Sequence, residues 1–408
     1  MKRFLSICIL ILLINLLTAQ VSKTINVSTA GSLSSLLQLS EKATITDLTI
    51  TGDIDARDIK CIRDEIRSLA ILDLSEANIN EYIGSNGTSS VTNYSANKMP
   101  DHSFWNSNTG SKITLKTIKL PNSINSIGNM VFIGCTGLAN VTIPNSVTSI
   151  GIGAFSSCTG LLSITIPNSV LTIGDNAFDS CTSLTSLIIG ESVTTIGTMA
   201  FLGCNGLTSV LISNSVKVIG DYAFTNCSKL TSLIIPNSVE SIGESAFSNC
   251  SVLSNLTIGS SVSTIGSNAF SNCSNLKIIR SLNINPPVLG SSTFDNSYLS
   301  VTNVYVPASS VDVYKSATGW YYYFYPIISE DNSVSAVTEL KNIRTKVHNT
   351  TSEIIIDGTL EGESLTLYTL NGTHIQNIIS KGERISLRVV RNTVYLVKTE
   401  EKTFKVIL

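Results

Sequence analysis

The chain has 408 residues, only 14% of them charged, with a formal net charge of -2 and no basic cluster. Nothing in that balance neutralises phosphates or anionic lipid, so nucleic acid and membrane surfaces are excluded as partners. Aliphatic residues are abundant and the polar remainder is mostly Ser, Thr and Asn, which makes a neutral surface.

Lys2 and Arg3 precede a mostly apolar run from Phe4 to Leu17, followed by Thr18-Ala19-Gln20. A charged start, a short apolar core and a small residue make residues 1–20 a signal peptide, because the run is shorter than the ~20 residues of a spanning helix. No second apolar run of that length follows, so the mature chain is expected outside the cell. A lipoprotein reading at Cys8 fails, because the small residue and the apolar core that should precede such a cysteine are missing.

Residues 21–114 read as an N-terminal capping region. Leu48-Thr-Ile50 and Leu72-Asp-Leu74 mark two irregular coils around a helix over Asp55–Arg67. Ile83–Ser95 is a Gly, Ser and Asn loop, and Phe104-Trp105 starts an aromatic column. Asp53, Asp55 and Asp58 lack the glycine and terminal glutamate of a calcium loop, so a solvated helix start is the better reading.

Seven units of 23 residues fill positions 115–275. The third reads Leu161-Leu-Ser-Ile164-Thr-Ile166-Pro-Asn-Ser-Val170-Leu-Thr-Ile173-Gly174-Asp-Asn-Ala177-Phe178-Asp-Ser-Cys181. A fixed period in this range means stacked coils. Leu161, Ile164 and Ile166 predict a first strand facing inward, Pro167-Asn168-Ser169 a turn, and Val170–Ile173 a second strand. Gly174 is expected to end it with a positive φ, and Ala-Phe-x-x-Cys is too short for more than one helical turn. Parallel coils about 4.8 Å apart put seven units in roughly 34 Å. Stacking also aligns Phe132, Phe155, Phe178, Phe201, Phe224, Phe247 and Phe270 in one column. Cys135, Cys158, Cys181, Cys204, Cys227, Cys250 and Cys273 recur once per coil, without the clustered partners a metal site needs. They read as free buried thiols acting as small apolar fillers.

A degenerate eighth coil over Leu276–Phe294 leads, within residues 276–330, to a strand at Val301–Val306, a helix near Ser309–Lys315 and the aromatic run Trp320–Tyr325. That run reads as a plug for the open core, with sugar stacking as the alternative. Residues 331–408 lose the coil pattern. A hairpin over Leu365–Ile379, turning at Asn371-Gly372, and strands at Arg384–Val390, Val394–Thr399 and Thr403–Leu408 predict a small β-sandwich. The fold class expected is therefore mainly β: a right-handed solenoid with a capping region and a C-terminal β-domain.

The Ile-Pro-Asn-Ser-Val, Ile-Gly and Ala-Phe-x-x-Cys elements resemble those of the BspA-like leucine-rich-repeat surface proteins of Gram-negative bacteria. The likeness runs from about Ile45 to Pro326, with Ile45–Gly52, Leu72-Asp-Leu-Ser75 and Gly319-Trp320 also matching. It implies a secreted or surface-held protein that binds protein ligands, among them host extracellular matrix or other bacterial surfaces. Residues 331–408 resemble the sorting domain of the type IX (Por) secretion route, through Leu367-Tyr368, Leu370-Asn371-Gly372, Val394–Val397 and Thr403–Val406. Thr393 stands where that domain usually has glycine. This resemblance implies recognition by outer-membrane secretion machinery.

The binding surface expected lies on the first strands, whose outward column reads Lys119, Thr142, Thr165, Ile188, Leu211, Ile234 and Thr257. Ile188, Leu211 and Ile234 break the polar pattern and are flanked by the serines Ser163, Ser186, Ser209 and Ser232, so they are the candidate protein-binding patch. No enzyme motif stands out: His102, His348 and His374 sit in no metal or nucleophile pattern, and no cofactor or metal is expected. The mixed column also weakens an ice-binding reading.

Overall fold

The computed structural model describes residues 20–297, 302–324 and 327–330, and the backbone of 346–349, 353–357, 364–369, 374–379, 384–388, 394–398 and 403–407. Residues 1–19 of the expected leader 1–20 and the expected turn at Asn371-Gly372 lie outside them. The chain forms two compact units, residues 1–304 with 313–326, and residues 305–312 with 327–408.

In the first unit every coil contributes two short parallel strands. In the third repeat the first strand is only Ser163–Thr165 and the second only Thr172–Ile173. Successive first strands pair at a shift of 23 residues, as in Thr117↔Asn140 and Ser163↔Ser186. The second strands form one unbroken sheet of nine, from Lys98–Met99 to Val288–Leu289. The first strands fall into three separately paired groups, with one break after Asn140–Thr142 and another between Ser209–Leu211 and Ser232–Ile234. Parallel pairing with a core on one side suits these β-branched, alternating segments.

The third side of each coil is a chain of turns without helix, and it differs from expectation at the glycine. Gly174 does not take a positive φ; the left-handed residues are Asn176 and Ser180, two before and two after Phe178. The same pair of positions is left-handed in every repeat, occupied for example by Met199 and Gly203 or Tyr222 and Asn226. Gly174 is needed for space, because a Cβ there would lie 2.8 Å from the carbonyl carbon of Gly151 in the preceding coil. The left-handed turns let three N–H groups per coil reach the next one: Asn176, Phe178 and Ser180 donate to Thr198, Ala200 and Leu202 at 2.7–2.9 Å. Three ladders therefore fix the coil spacing.

Inside, nine phenylalanines from Phe104 to Phe294 stack with ring centroids 5.0–5.4 Å apart and planes within 17° of parallel. The buried alanines before them, such as Ala177 and Ala200, give the rings room. Beside this column runs a thiol ladder. The Cys158 Sγ donates to the Phe132 carbonyl one coil back at 3.1 Å, and Cys181 and Cys204 do the same to Phe155 and Phe178 at 3.2 Å. Each of those carbonyls also accepts from a backbone N–H of its own coil, as Phe132 does from Cys135 at 3.0 Å, so the thiol uses the second lone pair. The thiol is thus a donor as well as a filler. Eight cysteines among the described residues are free and buried.

Both ends of the column are covered. Upstream, Ser22–Val27 pairs with Asp47–Ile54 and adds an outer strand that the repeat pattern did not reveal. The helix between the irregular coils is Ala56–Asp64, shorter than expected, with Asp55 and Asp58 forming its capping box. Those acids are held by backbone N–H groups, which accounts for them without a cation. Buried Arg63 ties this helix to the next segment by donating to the carbonyls of Thr88, His102 and Trp105. Within Ile83–Ser95 a hairpin joins Tyr82–Ile83 to Asn93–Tyr94. Downstream, Trp320 and Phe324 are buried and meet Phe294 at steep angles, ending the parallel stack. Trp320 Nε1 donates to the Pro287 carbonyl at 2.8 Å.

In the second unit, Lys346–Asn349, Glu353–Asp357 and Arg384–Arg388 form a three-stranded antiparallel sheet. His374–Ile379, Ser364–Thr369, Val394–Lys398 and Thr403–Ile407 form a four-stranded one.

Candidate functional site

The first-strand face is built by alternation. In Ser186-Leu187-Ile188 the middle residue is buried and Ile188 points outward, and the strand pairs with Ser209-Val210-Leu211 in register. Ile188 therefore lies directly beside Leu211. Ile188 is 40% exposed and Ile234 68%, but Leu211 is half-buried, so the middle of the expected patch is recessed. Ile234 holds the equivalent place in the following coil, across the break in strand pairing. Its own strand pairs in parallel with Asn255–Ile258, with Ile234 beside Thr257.

The serines differ from the hydroxyls next to them in sequence. Thr185 and Thr208 spend their hydroxyls on carbonyls one coil back, at 3.2 and 3.0 Å. Ser186, Ser209 and Ser232 make no side-chain hydrogen bond to the described residues and stand half-buried or exposed. They keep donors and acceptors for a partner beside an aliphatic surface. Ser163 pairs with Ser186 at the N-terminal side of the row.

Beside this serine row one exposed aliphatic was missed. Leu162 is 52% exposed beside Ser163, and the signal was a break in the column Ala139, Leu162, Thr185, Thr208 and Thr231. The surface offers shape and apolar area, with no reactive group. His102 is half-buried against Trp105 at 5.2 Å, and burial lowers its pKa. Among the described residues no group of three His, Cys, Asp or Glu side chains stands close enough to hold a metal ion. No described helix is long and apolar enough to cross a membrane.

No curated protein matches the chain. Among solved structures it is similar to the leucine rich repeat protein TpLRR of T. pallidum, at 28% identity over 32% of this chain and 69% of that one, with a TM-score of 0.30. It is also similar to a leucine-rich repeat protein from Bacteroides ovatus, at 23% identity over 64% of this chain and 83% of that one, with a TM-score of 0.33. The pneumococcal vaccine antigen PcpA is 19% identical over 68% of this chain and 78% of that one, with a TM-score of 0.31. Residues 97–227 and 200–318 match the model of the BspA type leucine rich repeat region in six copies. That match spans more than half of the 408 residues, and the chain belongs to the BspA-type leucine-rich-repeat family.

Proposed function

We propose that this protein is a non-catalytic binding solenoid, exported from the cell, that holds protein ligands of host matrix or bacterial surfaces on its first-strand face. The observation that carries the reading is the pair Ile188 and Leu211 in register with Ile234 beyond them, bordered by uncommitted serine hydroxyls. An aliphatic break in a polar ladder suits the centre of a protein interface, where apolar anchors exclude water and nearby hydroxyls complete hydrogen bonds. The leader pattern at residues 1–20 supports export. The family to which the repeats belong supports protein binding over catalysis.

Replacing Ile188, Leu211 and Ile234 together by Thr keeps the strand preference for β-branched residues and removes the apolar contact. The variant is expected to keep its circular-dichroism spectrum and to bind an immobilised panel of matrix proteins, mucins and bacterial surface extracts at least about tenfold more weakly, since a hot spot is worth ~2 kcal/mol or more. Unchanged binding to every ligand the parent retains would reject the face.

Residues 331–408 are proposed to form a β-sandwich that addresses the chain to outer-membrane secretion machinery, on the sequence likeness at Leu367-Tyr368 and Val394–Val397. A chain ending at residue 330 is expected to accumulate in the periplasm of its own host, as judged by fractionation and immunoblot. Its appearance at the surface at the parent's level would defeat the sorting role.

A further inference from the structure

A concave surface separate from the first-strand face lies where the turn segment of each coil passes into the next coil's first strand. It is a continuous groove of about 880 Å³ running over six coils, from Ser180 to Asn296, with Asn226, Asn249 and Asn272 between them on one wall. Asn205, Ser228 and Ser251 stand on the other wall, and no charged side chain lines it. At about 4.8 Å per coil the groove is roughly 24 Å long.

The amides on its wall are held by backbone geometry. Asn226, Asn249, Asn272 and Asn296 all occupy left-handed positions, with φ between 57° and 63°, which fixes their direction. Asn249 Nδ2 donates to Asn226 Oδ1 at 3.0 Å, and the side chains of Asn205, Asn272 and Asn296 make no hydrogen bond to the described residues. The groove thus presents rows of paired donors and acceptors without charge.

An aromatic surface stands at its C-terminal end. Asp295, next to Asn296, accepts from the Tyr323 hydroxyl at 2.8 Å, and Tyr323 packs edge-on against Tyr322 with centroids 5.1 Å apart. Trp320 and Phe324 of the same segment are buried in the plug, whereas Tyr321 is 63% and Tyr322 81% exposed. The plug has no use for those two rings.

We propose that this groove is a binding site for a linear, neutral polysaccharide, separate from the protein-binding face. Sugar hydroxyls are both donors and acceptors, which matches carboxamides, and the apolar face of a pyranose ring stacks on an exposed tyrosine. The absence of cationic lining disfavours acidic chains, and the narrow run over equivalent coils favours an extended polymer over a compact ligand.

The test is affinity electrophoresis of the full-length mature protein in native gels containing xyloglucan, galactomannan, arabinoxylan, mixed-linkage glucan or yeast mannan, with pectin and hyaluronan as acidic comparators. Retardation by at least one neutral polymer and by neither acidic one is expected. Tyr322→Ala should weaken that retardation about tenfold, the loss of one stacking contact. A second variant, Ser228→Gln with Ser251→Gln, fills the groove from positions that need no positive φ and should abolish it, while Ile188→Thr leaves it unchanged. Thermal melts confirm folding of each. No retardation by any neutral polymer overturns the site, as does retardation that survives both groove variants.

Discussion

Raising the pH from about 8 to about 10 is expected to destabilise the solenoid steeply, with the denaturant midpoint falling across that interval. The cause is the thiol ladder. Burial pushes Cys61, Cys135 and Cys273 up to about 12 and Cys158, Cys227 and Cys250 well above the ordinary thiol range. Cys181 is raised by the neighbouring Cys204 thiol and then by burial. An unfolded chain ionises its thiols near pH 8.5–9, so above that range ionisation lowers the free energy of the unfolded state but not that of the folded one. A folded pKa above the unfolded one gives stability that is complete below pH ~8.5 and lost as pH rises. A thiol that stays protonated in the folded chain while it ionises in the unfolded one loses up to about 1.4 kcal/mol per pH unit above pH ~9, and the ladder adds several such losses.

Lys112 opposes this trend. Burial lowers its pKa to about 8, so its contribution grows more favourable from pH 8 upward, by up to ~3 kcal/mol when its unfolded value of 10.5 is passed. One lysine cannot offset seven thiols. Urea titrations at half-unit pH steps measure the slope directly. Replacing Cys158, Cys181, Cys227 and Cys250 by Ala should lower stability at pH 7, through lost packing and lost Sγ–H donors, yet flatten the alkaline flank by more than half. An alkaline flank as steep in that variant as in the parent would show that the thiols are not the cause.

The cysteine column also shows what could be read in the sequence and what could not. Burial followed from a period of 23 with apolar neighbours, and so did the phenylalanine stack, because both depend only on like positions meeting like. The hydrogen bond from each thiol between Cys158 and Cys273 to the carbonyl of the preceding coil's Phe depends on how far one coil is displaced along the next, which periodicity does not contain. The left-handed positions were hidden for a different reason. Asn, Gly and Ser mark them at 176, 203 and 180, but Met130, Met199 and Tyr222 occupy equivalent places, where coil-to-coil N–H bonds outweigh the preference against positive φ. Gly174 misled because glycine has two uses, and here it gives room to a neighbouring backbone.

At the candidate face the sequence identified the outward column and its aliphatic break. It could not show that Leu211 is recessed or that strand pairing is interrupted before Ile234, since both arise from the relation between coils. The serine row was legible, but not the contrast with Thr185 and Thr208, whose hydroxyls are consumed in bridging coils. The groove on the turn side depends on those unforeseen left-handed residues, and no pattern of hydrophobicity marks it.

The strongest mutational effect is expected in the ring column. Phe201 lies 5.2 Å from Phe178 and 5.1 Å from Phe224, all three fully buried. Phe→Ala in a core costs about 3–5 kcal/mol, the larger values arising where surroundings cannot close on the cavity. Here the coils above and below are held apart by the second-strand sheet and by the turn-segment bonds Phe178 to Ala200 and Phe201 to Ala223, both at 2.8 Å, so closure is blocked. Phe201→Ala should therefore fall at the upper end, while Phe201→Leu, which keeps most of the volume, should cost about 1–2 kcal/mol. Solenoid stability is a sum over nearest-neighbour interfaces, and losing this ring weakens two of them at once. Denaturant unfolding of Phe201→Ala should then separate into two steps, one for the coils on each side. An apolar cavity of that size stays dry and takes up benzene, so benzene should recover part of the loss in the alanine variant and none in the parent. A cost below 2 kcal/mol with a single transition would mean that the coils slide together to fill the gap, and that the ladders do not set their spacing.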